Sequence, residues 1–174
     1  MASFLWVVTT IYTIGYLRAN DGPHQTRFHV CFSLALACAI GIAFAGNMLT
    51  LFFFYEALTL CTYPLVTHSG TEDARRGGRR YLAILLSTSI MLLLLAIIWT
   101  WVETGTLDFR PGGILVGTVS EPVMALLLVL YVFGIGKAAL MPFHSWLPAA
   151  MVAPAPVSAL LHAVAVVKAG VFTI

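Results

Sequence analysis

Apolar stretches of roughly the length that crosses a bilayer follow one another through almost the whole chain. They cover residues 3–17, 28–45, 48–67, 81–101, 122–141 and 157–174. A spanning helix needs about 17–25 predominantly apolar residues, so only the first stretch is marginal. Charged residues make up 9% of the chain, against about 25% in a soluble domain. The sequence therefore predicts an all-α, polytopic transmembrane helix bundle of about six spans, in a single domain over residues 1–174.

Basic residues are distributed unevenly between the loops on the two sides of these spans. One side has Arg18, Arg27, Arg75, Arg76, Arg79 and Arg80, whereas the other has Arg110. Cytoplasmic loops carry an excess of Lys and Arg. We therefore expect the arginine-rich loops in the cytoplasm and the N-terminus outside, in a protein of the bacterial inner membrane. No basic segment precedes the first apolar run, so no cleavable signal peptide is predicted.

Three ionisable side chains lie near the middle of predicted spans. They are Glu56, Lys137 and Lys168. A charge at this depth costs at least about 2.5–3.5 kcal/mol and is rare unless it faces a cavity or a partner. The placement predicts a pathway for protons or cations. Two alternatives stay open: Glu56 and Lys137 form an ion pair that only fixes helix packing, or Lys137 ends an ordinary helix and extends to the interface.

The third span carries a polar stripe at helical spacing. Its members are Glu56, Thr59, Tyr63 and Thr67. Positions three and four apart share a helix face, and the other faces of this span are Phe and Leu. Pro64 cannot donate a hydrogen bond to the carbonyl of Leu60, so a kink is expected there. The stripe predicts a hydrated face around Glu56, with Thr59 and Tyr63 as accessory groups.

The fifth span carries helix-breaking residues on both sides of its lysine. Gly134 and Gly136 precede Lys137, and Pro142 follows it. Glycine and proline beside a buried ionisable group are typical of a discontinuous membrane helix whose unwound backbone lines a site. We therefore predict a discontinuous helix near Lys137–Pro142. His144 follows directly, and either braces this segment or takes part in proton transfer.

The sixth span places Lys168 too deep to reach the interface easily. Pro156 suits its first helical turn, and Lys168 follows about eleven residues into the span. His162 lies six residues before the lysine, about 120° around the helix. The two side chains either line one cavity, or His162 is a hydrogen-bonded packing residue.

No pattern in the sequence is typical of a cofactor or a metal site. Cys31, Cys38 and Cys61 lie in apolar stretches and form no CxxC pair, which indicates packing residues. A membrane haem needs two facing histidines, and we find no Walker loop, zinc motif or nucleotide fingerprint. We predict no cofactor and no metal. The net charge of +2 is too small and too scattered to predict nucleic-acid binding.

The segment GKAALMPFHSWLPAAMVAPAPVSALLHAVAVVKAG resembles the signature of the proton-conducting antiporter family. That family comprises the antiporter-like subunits of respiratory complex I, the Mrp cation/proton antiporters and related membrane hydrogenase modules. TIYTIGYLR and NMLTLFFFYEALTLCTYPLV resemble its third to fifth helices. VSALLHAVAVVKAG is more similar to Mrp-type subunits than to core complex I subunits.

The resemblance implies that this chain is part of a larger fold. Family members have about fourteen helices in two inverted five-helix repeats, and this chain resembles the third through eighth. It would hold one helix plus one five-helix repeat and lack the second half of the channel. By motif position, Glu56 and Lys137 match the helix-five glutamate and the helix-seven lysine. Lys168 and His162 match a lysine and a branch-specific histidine of helix eight. Ala149 stands where many members have Asp.

The expected function is proton translocation within a multisubunit cation/proton antiporter or a redox-driven proton pump. Glu56 pairs with charged Lys137; when the pair separates, the proton passes through water or His162 to Lys168 and on to a partner subunit. Other membrane subunits, protons and Na or K ions are the expected partners, and the chain is not an enzyme on its own. The rival interpretations are a structural subunit that scaffolds an oxidoreductase, and a quinone or haem anchor.

Overall fold

The computed structural model describes residues 2–19, 24–159 and 165–173, which form helices and connecting loops. The α-helices are α1 (Ala2–Ala19), α2 (Gln25–Ala43), α3 (Met48–Val66), α4 (Glu72–Thr88), α5 (Leu94–Thr104), α6 (Glu121–Gly134), α7 (Trp146–Ala150), α8 (Ala155–Ala159) and α9 (Val166–Thr173). The predicted all-α membrane bundle is confirmed.

Three helical stretches in the described residues are long and apolar enough to cross a membrane. They are Gln25–Ala43, Met48–Val66 and the 33-residue stretch Glu72–Thr104. The chain is therefore an integral membrane protein. α1 has 18 residues, but its threonines and Arg18 dilute its apolar character. The fifth predicted span is interrupted, so α6 is a shorter apolar helix of 14 residues, and part of the sixth lies outside the described residues.

α2 and α3 form the centre of the packing. A short connection joins them, and Asn47 caps α3 by accepting a hydrogen bond from the backbone N–H of Thr50 at 2.7 Å, as N-cap side chains do. Gly41 lets the helices approach closely, because a Cβ there would lie 2.6 Å from the ring of Phe54. This hairpin positions the polar stripe of α3 beside the later helices.

A π-helical segment, Ser89–Leu93, joins α4 to α5 without a break. Thr71 caps the start of α4 by accepting from the N–H of Ala74 at 3.2 Å. π segments occur mostly as single turns inside α-helices, frequently at functional sites. This one faces the end of α6, where the chain leaves its helix.

The fifth predicted span is a discontinuous helix, as its glycines and proline predict. α6 ends at Gly134, and the single 3₁₀ turn Gly136–Ala138 follows. Ala139 is left-handed, with φ 55°, and a second 3₁₀ turn leads into α7. Lys137 therefore lies in the break, not at the end of an ordinary helix.

Candidate functional site

Side chains from two other elements hold the broken segment in place. Trp146, at the start of α7, is fully buried, and its Nε1–H donates to the carbonyl of Gly136 at 2.9 Å. Its ring meets the edge of Tyr81 with the centroids 5.5 Å apart. The hydroxyl of Tyr81 is hydrogen-bonded to that of Thr62 in α3 at 2.6 Å. These contacts tie the break to α4 and α3.

Glycines remove the side chains that would otherwise keep neighbouring backbones apart at the break. A Cβ on Gly134 would lie 2.5 Å from the backbone nitrogen of Leu93, in the π segment. A Cβ on Gly136 would lie 2.3 Å from the Thr88 hydroxyl, and one on Gly170 would lie 2.4 Å from the backbone nitrogen of Ala138. The π segment and α9 therefore press directly on the main chain beside Lys137.

Lys137 is fully buried and makes three contacts with a single residue, Tyr55. Its backbone N–H donates to the Tyr55 hydroxyl at 3.0 Å. Its Nζ donates to the Tyr55 backbone carbonyl and lies 3.1 Å from the centroid of the Tyr55 ring. The face of an aromatic ring is electron-rich and attracts the positive end of an N–H dipole. Tyr55 thus sets the position of both the main chain and the amine of Lys137.

The polar stripe of α3 divides between two places. The Thr59 hydroxyl is buried and donates to the Tyr55 carbonyl at 3.3 Å, so it shares an acceptor with Lys137. Tyr63 and Thr67 instead line a cavity at the end of α3, among arginines. α3 continues through Pro64 to Val66. Of the two accessory groups on this helix, Thr59 lies at the lysine and Tyr63 does not.

Glu56 follows Tyr55 directly, but its carboxylate does not hold the lysine. Both carboxylate oxygens are buried and accept no hydrogen bond. Among the described residues, no N···O distance within 4.0 Å joins Glu56 to Lys137. Ser89, at the start of the π segment, lies beside Glu56, yet its hydroxyl donates to the carbonyl of Leu85 at 2.7 Å. The carboxylate is a buried acceptor without a donor.

Lys168 lies apart from Lys137 in this structure. Its side chain is exposed and lines an open cavity of about 420 Å³ between α2 and α9. The rest of that cavity is apolar, with Ala39, Ile40 and Phe172 among its lining residues. The structure does not bring the second lysine into contact with the first.

Residues 45–174 match the model of the NADH:quinone oxidoreductase/Mrp antiporter transmembrane family. The chain belongs to this family. The family that the WLPAA and VSALLH motifs indicated is thereby confirmed.

Three comparisons illustrate the relationship. NAD(P)H-quinone oxidoreductase chain 5 of Synechocystis sp. is 32% identical over 97% of this chain and 25% of its own length. The Mrp complex of Dietzia sp. superposes with a TM-score of 0.74 at 34% identity, over 82% of this chain and 16% of that one. Respiratory complex I of Thermus thermophilus superposes with a TM-score of 0.79 at 25% identity, over 99% of this chain and 38% of that one. The chain spans about a quarter of the length of the curated relatives it matches.

Of the two predicted histidines, the structure describes one. His144 lies in the 3₁₀ turn Phe143–Ser145, and its side chain is exposed. His162 lies outside the described residues. Within the part of the chain that the structure covers, no three His, Cys, Asp or Glu side chains come together as a metal site would require.

Sequence reasoning missed the residues that position the lysine. Tyr55 precedes Glu56 in an aromatic run, which indicates a packing residue. Trp146 belongs to the family motif, but the motif does not indicate what its side chain does. Their contacts join residues 82 and 10 positions apart, and no local pattern encodes the first. His68 was also missed: it is 6% exposed, and neither ring nitrogen has a hydrogen-bond partner.

Proposed function

We propose that this chain is a proton-translocating membrane subunit of a multisubunit assembly, in which Lys137 binds and releases the proton. One observation carries the proposal: the Lys137 amine is enclosed at a helix break, where it contacts a backbone carbonyl and, among the described residues, no carboxylate. An ionisable group at membrane depth is costly and marks ion and proton pathways. The similarity to quinone oxidoreductase and Mrp chains supports the same function.

In the proposed cycle the Lys137 amine alternates between two acceptors. The first is the Tyr55 carbonyl, which it contacts in this structure. The second is the Glu56 carboxylate, whose burial without a donor is unfavourable and which a charged amine would satisfy. Lys137 is charged while it pairs with Glu56, and it gives up its proton when the pair separates. Because Tyr55 and Trp146 fix the main chain at the break, the side chain alone moves.

The released proton then travels toward Lys168 in the proposed pathway. Water or His162 carries it from the break toward Lys168, which lines an open cavity. From there it enters a partner membrane subunit that supplies the rest of the channel. Na or K ions are the candidates for exchange, and His144 and Tyr63 are accessory groups at most, since each lies away from the Lys137 amine.

The proposed setting is the bacterial inner membrane, with the arginine-rich loops in the cytoplasm and the N-terminus outside. The asymmetric distribution of arginines supports this orientation. The chain would form one helix and one five-helix repeat of a larger antiporter-like fold. Its partners are further membrane subunits, and the assembly is driven either by an ion gradient or by redox chemistry in those partners.

Replacing the Lys137 amine tests this function. Lys137→Met keeps the length of the side chain and removes the exchangeable proton, so proton transport into vesicles that contain the whole assembly should be lost. The matched control is Arg76→Gln, which removes an exposed positive charge away from the break. Assembly is checked by co-purification of the other subunits.

A purely structural role for the lysine makes the opposite prediction. If Lys137 only fixes helix packing, Lys137→Met combined with Glu56→Gln would assemble and transport normally. Unchanged transport in either Lys137 variant contradicts the proposal. Loss of transport with intact assembly supports it.

A further inference from the structure

A positively charged cavity of about 470 Å³ lies at the opposite end of α3 from Asn47, between α3 and the first turns of α2 and α4. Arg27, Arg75 and Arg79 line it, together with His24 and His68. Hydroxyl-bearing side chains at the end of α3 complete the wall. Because spanning stretches begin and end here, the cavity lies at the edge of the membrane.

Close packing of α4 on α3 brings the arginines to this cavity. A Cβ on Gly78 would lie 2.4 Å from Thr67 Cγ2 and 3.2 Å from the ring of Tyr63, so only glycine permits this approach. Arg75 and Arg79 are four residues apart and therefore share one face of α4. The helix presents that face to the cavity and directs Arg76 and Arg80 elsewhere, since neither lines it.

The positive charges at the cavity are mostly uncompensated. Arg75 forms an exposed ion pair with Glu72 at 3.3 Å. Within the described residues, neither Arg27 nor Arg79 lies within 4.0 Å of a carboxylate. Guanidinium groups match phosphate geometry and bind it through paired hydrogen bonds. Two arginines from different helices thus face one space with their donors available.

His68 gives independent evidence for a ligand site at this cavity. It is 94% buried against the edge of Phe28, with the ring centroids 5.0 Å apart. Neither ring nitrogen has a hydrogen-bond partner, although buried polar groups almost always have one. Burial lowers the pKa of His68 below its ordinary value, and the charge of Arg27 lowers it further. An anion beside the ring would accept a hydrogen bond from an imidazole N–H and offset the positive charge of Arg27.

We propose that this cavity binds a phosphate group through Arg27 and Arg79, with His68 forming its inner wall. The site is distinct from the break at Lys137 and does not depend on the proposed proton transport. Basic pockets between helices at a membrane surface bind anionic lipid headgroups, and a free phosphate ion has the same chemistry. Arg75 contributes less than the other two arginines, because Glu72 already neutralises part of its charge.

Binding is measured on the whole assembly in nanodiscs of phosphatidylcholine. Phosphatidylglycerol is titrated into the bilayer in one arm, and inorganic phosphate into the buffer in the other. The readout is the thermal unfolding midpoint of the chain together with native mass spectrometry of retained ligand. A response to phosphatidylglycerol alone identifies a lipid headgroup, and a response to inorganic phosphate in neutral bilayers identifies the free ion.

Variants decide whether the response arises at this cavity. Arg79→Gln should weaken binding roughly tenfold, since a charge-assisted hydrogen bond is lost, and Arg27→Gln should do the same. Both side chains are exposed, so their replacement leaves the fold intact. Arg76→Gln and Arg80→Gln remove the same charge from the same helix without touching the cavity. Equal responses in all four variants, or no response to either phosphate source, would overturn the proposal.

Discussion

The amine of Lys137 rests on the backbone carbonyl and ring face of Tyr55, one residue before the carboxylate of Glu56. The lysine is therefore held by a neutral residue, while the nearby acid has no donor of its own. The residue that positions the amine is therefore different from the residue that can neutralise its charge. Substitutions can test each part by itself.

Glu56→Gln should abolish proton transport while leaving the chain folded. The carboxylate holds nothing in place in this structure, so its removal costs no native hydrogen bond. Loss of a buried unpartnered charge should leave the unfolding midpoint equal or higher. Proton uptake by vesicles and thermal unfolding in detergent measure the two effects. Glu121→Gln, at the exposed start of α6, is the control and should change neither. Normal transport by Glu56→Gln would remove this residue from the pathway.

Tyr55→Phe should destabilise the broken helix. The variant keeps the ring and the carbonyl but leaves the buried N–H of Lys137 without its acceptor. An unsatisfied buried donor costs about 1–3 kcal/mol, so the thermal midpoint should fall. The control is Tyr63→Phe, which removes a tyrosine hydroxyl from the same helix. That hydroxyl makes no hydrogen bond within the described structure, so the thermal midpoint should hardly change. Equal midpoints for the two variants would show that the Tyr55 hydroxyl does not support the break.

Gly170→Ala should be strongly destabilising, unlike replacement of the unhindered Gly15. The added methyl group would lie 2.4 Å from the backbone nitrogen of Ala138, where nothing flexible can give way. Overpacking of this kind costs roughly 1–3 kcal/mol. Gly15→Ala, in α1, meets nothing within 4 Å and should stabilise by about 0.5–1 kcal/mol through helix propensity. Thermal unfolding distinguishes them, and a neutral Gly170→Ala would contradict the close contact of α9 with the break.

Lys168→Met should lower transport without lowering stability. The side chain is exposed in an open cavity, so the substitution removes no buried contact of this chain. In Lys137→Met, by contrast, the contact with the Tyr55 carbonyl is lost as well, and the midpoint should fall together with transport. Parallel measurements of both properties on both variants check this difference. A large stability loss in Lys168→Met would place that side chain against a partner, not on a pathway.

Stability should fall as the pH drops below about 6.5, in part because of His68. The folded state holds this imidazole at a lowered pKa, so the unfolded chain takes up the proton first, near the ordinary value of about 6.5. Below that pH the unfolded state binds more protons and gains stability; above it the contribution is complete. His68→Gln removes this imidazole and should therefore flatten the profile of stability against pH. Superimposable profiles for wild type and His68→Gln would contradict the burial argument.

The sequence predicted the elements of this fold better than its contacts. Hydropathy located the helices, and Gly134, Gly136 and Pro142 located the break, because these signals are local. Within the described residues, three helical stretches are long and apolar enough to be spans. The fifth predicted span falls short because it is broken, and α1 because its threonines and Arg18 dilute its apolar character. The partner of Lys137 was not predictable, because Tyr55 lies 82 residues away in the sequence. The acceptor is also a backbone carbonyl, which every residue has, so it leaves no signal in the sequence. His68 was missed for the same reason. Its burial and its lack of hydrogen-bond partners depend on residues that are distant in the sequence.

The contact of Gly170 with the backbone of Lys137 and Ala138 has a mechanical consequence. The helix that carries Lys168 packs against the segment that carries Lys137, and at Gly170 no side chain separates the two backbones. Any displacement of α9 would therefore have to be accommodated by the backbone at the break. The positions of Lys137 and Lys168 are therefore coupled through the main-chain contact between α9 and the break.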